Sequence, residues 1–132
     1  MNILSEICLN KKQEVAKQKN LININSLISI CSQIKHQPCF VNGLSEKYNN
    51  NQVGLIAEIK QYSPSKGLLM KDFDPVKLAK IYQENGATCV SILTDEKYFQ
   101  GSKEHLLDVK ENISLPILRK DFIVDPYQVI ET

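Results

Sequence analysis

The stretch Leu55-Ile56-Ala57-Glu58-Ile59-Lys60 reads as a β-strand with two unlike faces. Side chains alternate across a strand, so Leu55, Ala57 and Ile59 form an apolar face while Ile56, Glu58 and Lys60 share the other. Two more strands follow, Cys89 to Thr94 and Pro116 to Lys120, with amphipathic helices at about Pro75 to Asn85 and Ser102 to Asn112 between them. The strand starts at 55, 89 and 116 lie 34 and 27 residues apart, the length of a strand plus its crossover helix in a parallel α/β sheet. Strands of such a sheet are buried on both faces, so a charge inside one demands an explanation.

The punctuation agrees with this division. Asp74-Pro75 starts a helix because the Asp carboxylate accepts from orphan N–H groups while Pro occupies the first turn. Asn85-Gly86 closes it, since Gly tolerates the left-handed conformation at a helix end. Ser102 is a cap for the second helix, and Asp125-Pro126 repeats the start signal for a third, in which the sequence runs about two turns to Thr132. Ahead of the strands, Ile3, Ile7 and Val15 fall near helical spacing among Lys11, Lys12, Glu14 and Lys17, and a second helical run extends from Ser26 to Ile34. The polar stretch Ser45 to Gln52 is expected to be a loop. This gives an N-terminal helical extension over residues 1–52 and an α/β region over residues 53–132.

Composition narrows the function classes. The 132 residues carry 16 Lys and Arg against 15 Asp and Glu, a net charge of +1. No surplus of positive charge is present to neutralise phosphates, which argues against nucleic-acid or membrane-surface binding. No apolar run approaches the roughly 20 residues that span a bilayer, and Glu6 interrupts any secretory core near the N-terminus. A cytoplasmic location is expected. Cys8, Cys31, Cys39 and Cys89 form no C-x-x-C pair and have no His at metal spacing, so reduced and mostly buried thiols are expected, with no metal. A catalytic cysteine would need His36 or His105, and the sequence places neither beside one.

The charges in the strands carry the chemistry. On the third strand Leu118, Lys120 and Phe122 share a face, with Lys120 at the C-terminal end. Strand C-termini are where parallel α/β folds hold ligands. An alternative is that Glu58 pairs with Lys60 or Lys120 as a purely structural plug, because buried charges are normally paired. Arg119 and Asp121 face the other way and are expected to make structural pairs.

Several runs then take a recognisable order: Ala57-Glu58-Ile59-Lys60, Ser63-Pro64-Ser65-Lys66-Gly67, Asp72-Phe73-Asp74-Pro75, Ser91 to Gly101, Leu118 to Phe122, and Asp125-Pro126-Tyr127-Gln128. Together they resemble the indole-3-glycerol phosphate synthases from residue 54 to 132. The resemblance implies a (β/α)8 TIM barrel, here a partial barrel of strands one to three behind the helical extension and truncated in the third helix. It implies a carboxy-lyase of tryptophan biosynthesis that closes the indole ring of 1-(2-carboxyphenylamino)-1-deoxyribulose 5-phosphate, a phosphorylated anthranilate-derived substrate, with loss of carbon dioxide and water and without a cofactor. By the same resemblance Lys120 is the general acid, Lys60 holds an anionic substrate group, and Glu58 orients substrate and lysines. Ser63 and Pro64 match the family's first substrate loop, although Ser-Pro is also a common turn starter. Phe99 and Phe122 match aromatics that line the anthranilate pocket, although aromatics at strand ends commonly serve packing alone.

The sequence departs from the family pattern at Pro38-Cys39-Phe40, where an Arg-containing stretch is expected. A closed barrel takes about 250 residues, so the chain is expected to be a fragment, a truncated frame or one chain of a two-chain assembly. Open strand edges and an exposed apolar face imply a complementary C-terminal half-barrel or self-association. The alternative is an inactive fragment that persists as a binding or assembly half. A third reading, a phosphoribosylanthranilate isomerase, lacks the loops Ser63 to Gly67 and Glu96 to Gly101.

Overall fold

The computed structural model describes residues 2–34 and 38–132. In chain order the elements are α1 (Ile3–Leu21), α2 (Ile24–Cys31), α3 (Phe40–Asn49), β1 (Ile56–Ile59), β2 (Tyr62–Ser63), β3 (Gly67–Leu68), α4 (Pro75–Glu84), β4 (Cys89–Leu93), α5 (Glu96–Phe99), α6 (Lys103–Asn112), β5 (Ile117–Lys120) and α7 (Pro126–Glu131). They fall into two units, one of Gln37–Asp121 and one joining Met1–His36 to Phe122–Thr132.

In the first unit β1, β4 and β5 form a parallel sheet in the order β1-β4-β5. The central strand β4, flanked by a strand on each side, is buried along its whole length. Ala57 and Ile59 of β1, Val90 and Ile92 of β4, Ala79 of α4 and Val109 of α6 make one apolar core on the helix side of the sheet. The register sets Glu58 beside Ser91 and Leu118. Lateral neighbours in a sheet share a face, so these three residues look away from that core. The period-two reading of β1 holds at Ala57 and Ile59, 8% and 1% exposed against 46% for Ile56, but not at Leu55, which precedes the strand and is 51% exposed.

The expected helix signals act as capping predicts. The Asp74 carboxylate accepts from the Lys77 N–H at 2.9 Å with Pro75 in the first turn. Gly86 follows α4 at φ +85°, a conformation L side chains rarely adopt. Ser102 caps α6 by accepting from the Glu104 N–H at 3.0 Å. Tyr82 of α4 donates its hydroxyl to the Glu58 carbonyl at 3.3 Å, which ties the helix to β1.

The expected loop over Ser45 to Gln52 is corrected, because α3 covers most of it and ends at Asn49, with Asn50 as its C-cap and Asn51 at φ +54°. A Cβ on Gly43 would lie 3.5 Å from Pro116 Cγ and 3.7 Å from Cys89 Sγ, so the helix sits close to the start of the sheet. The Tyr62–Ser63 and Gly67–Leu68 hairpin was not foreseen either.

In the second unit α1 and α2 pack with α7 around Val15, Leu27 and Tyr127. The Tyr127 hydroxyl donates to the Ile22 carbonyl at 2.9 Å, just past the C-terminal end of α1, with the Gln18 carbonyl 3.3 Å away. Asp125 and Gln128 form a capping box on α7, and Lys19 reaches Asp125 at 2.7 Å. Lys11 lies 4% exposed, its ammonium 2.8 Å from Glu14, with its methylene stem supplying apolar cover. The expectation of mostly buried thiols is also corrected: Cys89 is buried, Cys8 intermediate, and Cys31 and Cys39 exposed. Cys31 is the last residue of α2 and Cys39 immediately precedes α3 without a side-chain capping bond, and both positions are open to solvent. No helix among the described residues is long and apolar enough to cross a membrane.

Candidate active site

The strand ends of the parallel sheet bring three charged side chains together. Glu58 lies on β1, Lys60 follows its last residue, and Lys120 ends β5. Lys60 Nζ lies 2.6 Å from Glu58 Oε1 and Lys120 Nζ lies 2.5 Å from Glu58 Oε2. One carboxylate thus bridges two ammonium groups that come from strands 60 residues apart in sequence, and the cluster keeps a net positive charge.

Such a cluster suits an anionic ligand. The side chains of Glu58, Lys60 and Lys120 are 29%, 31% and 52% exposed, so the lysines remain accessible while the carboxylate holds them in place. Partial burial by itself raises the Glu58 pKa, but hydrogen bonds from Lys120 and Lys60 and their charges outweigh it and hold the carboxyl below the ordinary glutamate range.

A depressed folded-state pKa contributes stability above the unfolded-state value, and that contribution is lost as pH falls through the folded-state value. Wild type is therefore expected to lose stability relative to Glu58→Gln as pH drops through and below the ordinary glutamate range. Thermal unfolding of both proteins against pH checks this. A stability difference that stays constant across the acid range contradicts it.

The remaining expected site residues are placed more variously. Ser63 is 7% exposed on β2, and its Oγ accepts from the Lys66 N–H at 3.3 Å, a contact within the turn. Pro64 is exposed in that turn. Phe99 ends α5 half-buried, and Phe122, also half-buried, belongs to the unit of α1, α2 and α7, where its carbonyl accepts from Gln128 Nε2 at 2.9 Å. Lys66 and Lys97 are exposed, whereas Tyr98 is 8% exposed with Lys97 Nζ 5.1 Å from its ring centroid. His105 packs edge-on against Phe73, and His36 lies outside the described residues. Among the described residues no group of three or more His, Cys, Asp or Glu side chains could hold a metal ion.

Three features escaped the sequence reading. Asp95 is fully buried and caps α5 by accepting from the Tyr98 N–H at 2.8 Å. Gly101 runs so close to β4 that a Cβ there would lie 2.3 Å from the Leu93 carbonyl oxygen, so only Gly fits where the Asp95 loop rejoins the sheet. The Ser91 hydroxyl, in register with Glu58, is buried without a hydrogen-bond partner among the described residues. By contrast the expected structural pair is present, with Arg119 Nη2 3.2 Å from Asp121 Oδ2.

With this geometry in place, comparison with known proteins is decisive. The family profile of indole-3-glycerol phosphate synthase matches residues 4–132. The chain belongs to the indole-3-glycerol phosphate synthase family. It is 45% identical over 130 residues to the indole-3-glycerol phosphate synthase of Neisseria meningitidis serogroup B, covering 98% of this chain and 50% of that protein. The synthase of Trichodesmium erythraeum is 46% identical over 131 residues, covering 97% and 42%, and that of Rhodopirellula baltica is 43% identical over 131 residues, covering 99% and 49%. The chain spans about half the length of the curated relatives it matches. The matched span includes Glu58, Lys60 and Lys120, and membership of the synthase family displaces the isomerase reading.

Proposed function

We propose that this chain supplies the N-terminal half of a (β/α)8 barrel, with residues 1–52 as its helical extension and 53–132 as its first three strands, and that the barrel makes indole-3-glycerol phosphate. The substrate is 1-(2-carboxyphenylamino)-1-deoxyribulose 5-phosphate. The reading rests on one observation above all, the bridging of Lys60 and Lys120 by Glu58 at 2.6 and 2.5 Å in a member of the synthase family.

The chemistry needs what this cluster offers. The ring carbon that bears the substrate carboxylate attacks the ribulose ketone, and negative charge develops on the ketone oxygen. The Lys120 ammonium stabilises that charge and delivers the proton, which makes it the general acid. Lys60 holds the anionic end of the substrate, and Glu58 keeps both ammonium groups aimed at the same point. Loss of carbon dioxide and then of water completes the indole. Ser63 and Pro64 contact the substrate from the first loop, and Phe99 and Phe122 stack on the anthranilate ring.

The partner is a complementary C-terminal half-barrel, which covers the sheet face that carries Glu58 and Leu118, or a second copy that serves the same purpose. The setting is the cytoplasm. Indole fluorescence after adding the substrate to the chain together with such a half tests the reading, and it fails if no assembly forms product.

A further inference from the structure

Directly behind Lys120, on the helix side of the sheet, three polar side chains are buried together. The Thr94 hydroxyl donates to Asp121 Oδ2 at 2.8 Å, Arg119 Nη2 reaches the same oxygen at 3.2 Å, and Arg119 Nε donates to Thr94 Oγ1 at 3.3 Å. The Arg119 and Asp121 side chains are 7% and 2% exposed, and Thr94 is 3% exposed. Arg119 and Asp121 are the two chain neighbours of Lys120. Thr94 also donates its backbone N–H to the Lys120 carbonyl at 3.1 Å.

We propose that Thr94, Arg119 and Asp121 are positioning residues that fix Lys120 toward Glu58. This rests on the reading of Lys120 as the general acid. Lys120 is the last residue of β5, and a strand end is where ladder pairing gives out. Side chains alternate, so the flanking residues must point away from the site, and here both are fastened to a single threonine that directly follows the adjacent strand β4. The backbone at Lys120 is thereby held on both sides and through its own carbonyl, and its Cα–Cβ direction follows. A buried ion pair stabilises a fold poorly compared with apolar side chains of similar volume, so stability alone accounts badly for placing one here. Misplacing a reacting group by about 1 Å can cost on the order of 10²-fold in rate.

The test uses Thr94→Val, Thr94→Ser and Asp121→Asn. In the enzyme assembled with a complementary C-terminal half, Thr94→Val and Asp121→Asn are expected to lower kcat about 10- to 100-fold with KM changed less than about threefold, while Thr94→Ser keeps kcat within about threefold. A kcat that falls no further in Thr94→Val than in Thr94→Ser overturns the proposal. In the 132-residue chain itself, the NMR order parameter of the Lys120 ε-methylene is expected to fall in Thr94→Val and Asp121→Asn and to hold in Thr94→Ser; no change in any of them overturns it. Lys120→Ala separates the two claims. If it leaves turnover intact, the general-acid reading fails even where the order of Lys120 responds to Thr94; if it removes turnover while Thr94→Val does not, only the positioning role fails.

Discussion

Replacing Lys120 by Ala is expected to lower kcat about 10²- to 10⁴-fold, the range typical of losing a positioned general acid. The measurement is steady-state turnover of the assembled enzyme beside thermal unfolding of the same variant. The stability effect is expected to be small, because the Lys120 side chain is 52% exposed and an exposed ion pair contributes at most about 1 kcal/mol. Glu58 also retains Lys60 at 2.6 Å, so removing Lys120 leaves no isolated buried charge. This divergence between rate and stability separates a catalytic ammonium from the purely structural plug that the spacing alone also allowed. Comparable losses of both assign Lys120 to structure.

The opposite profile is expected at the neighbouring core position. Ile59 is 1% exposed and packs with Val90, Ile92 and Ala79 on the helix side of the sheet. Ile59→Ala removes buried methylenes and leaves a cavity, which costs about 2–5 kcal/mol. Ile56 lies on the other face at 46% exposure, and Ile56→Ala is expected to cost less than about 1 kcal/mol in this chain. Denaturant unfolding of the two variants of the 132-residue chain compares the faces directly. Equal losses contradict the assignment of a packed helix side and a ligand side to β1.

The two-faced character of β1 was legible because period-two alternation is a local property: Ile56 to Lys60 carries its own record of which side is apolar, whereas Leu55, just ahead of the strand, is 51% exposed. The same holds for Asp74-Pro75, Ser102 and Asp125-Pro126, where a capping side chain and its target lie within three residues of each other. The helix α3 was not legible, because its contact with Pro116, Thr88 and Cys89 is distant in sequence and its own residues read as a turn. Thiol exposure failed for a related reason, since Cys31 and Cys39 sit at a helix end and a helix cap, where an apolar neighbourhood in sequence does not become burial.

The site itself was legible in part. Facing of Glu58, Lys60 and Lys120 followed from alternation within each strand, whereas the distances that join them depend on β4 standing between β1 and β5. Arg119 and Asp121 were legible as a structural pair, but Thr94 was not, because its link to them crosses 25 and 27 residues and exists only through the β4–β5 register. Ser63 shows the limit of a motif: the residue type suits two roles, and its hydroxyl's contact with the Lys66 N–H belongs to the turn.

The most direct test of the central claim is the rate of indole-3-glycerol phosphate formation, followed by indole fluorescence, from this chain, from a complementary C-terminal half-barrel of the same family, and from the two mixed. Product from the mixture at a rate neither part reaches alone is the expected result, and it places Glu58, Lys60 and Lys120 in the first half of a working site. Product from this chain alone assigns the covering role to a second copy. Absence of product from this chain and from the mixture, with both parts folded and associated, contradicts the account.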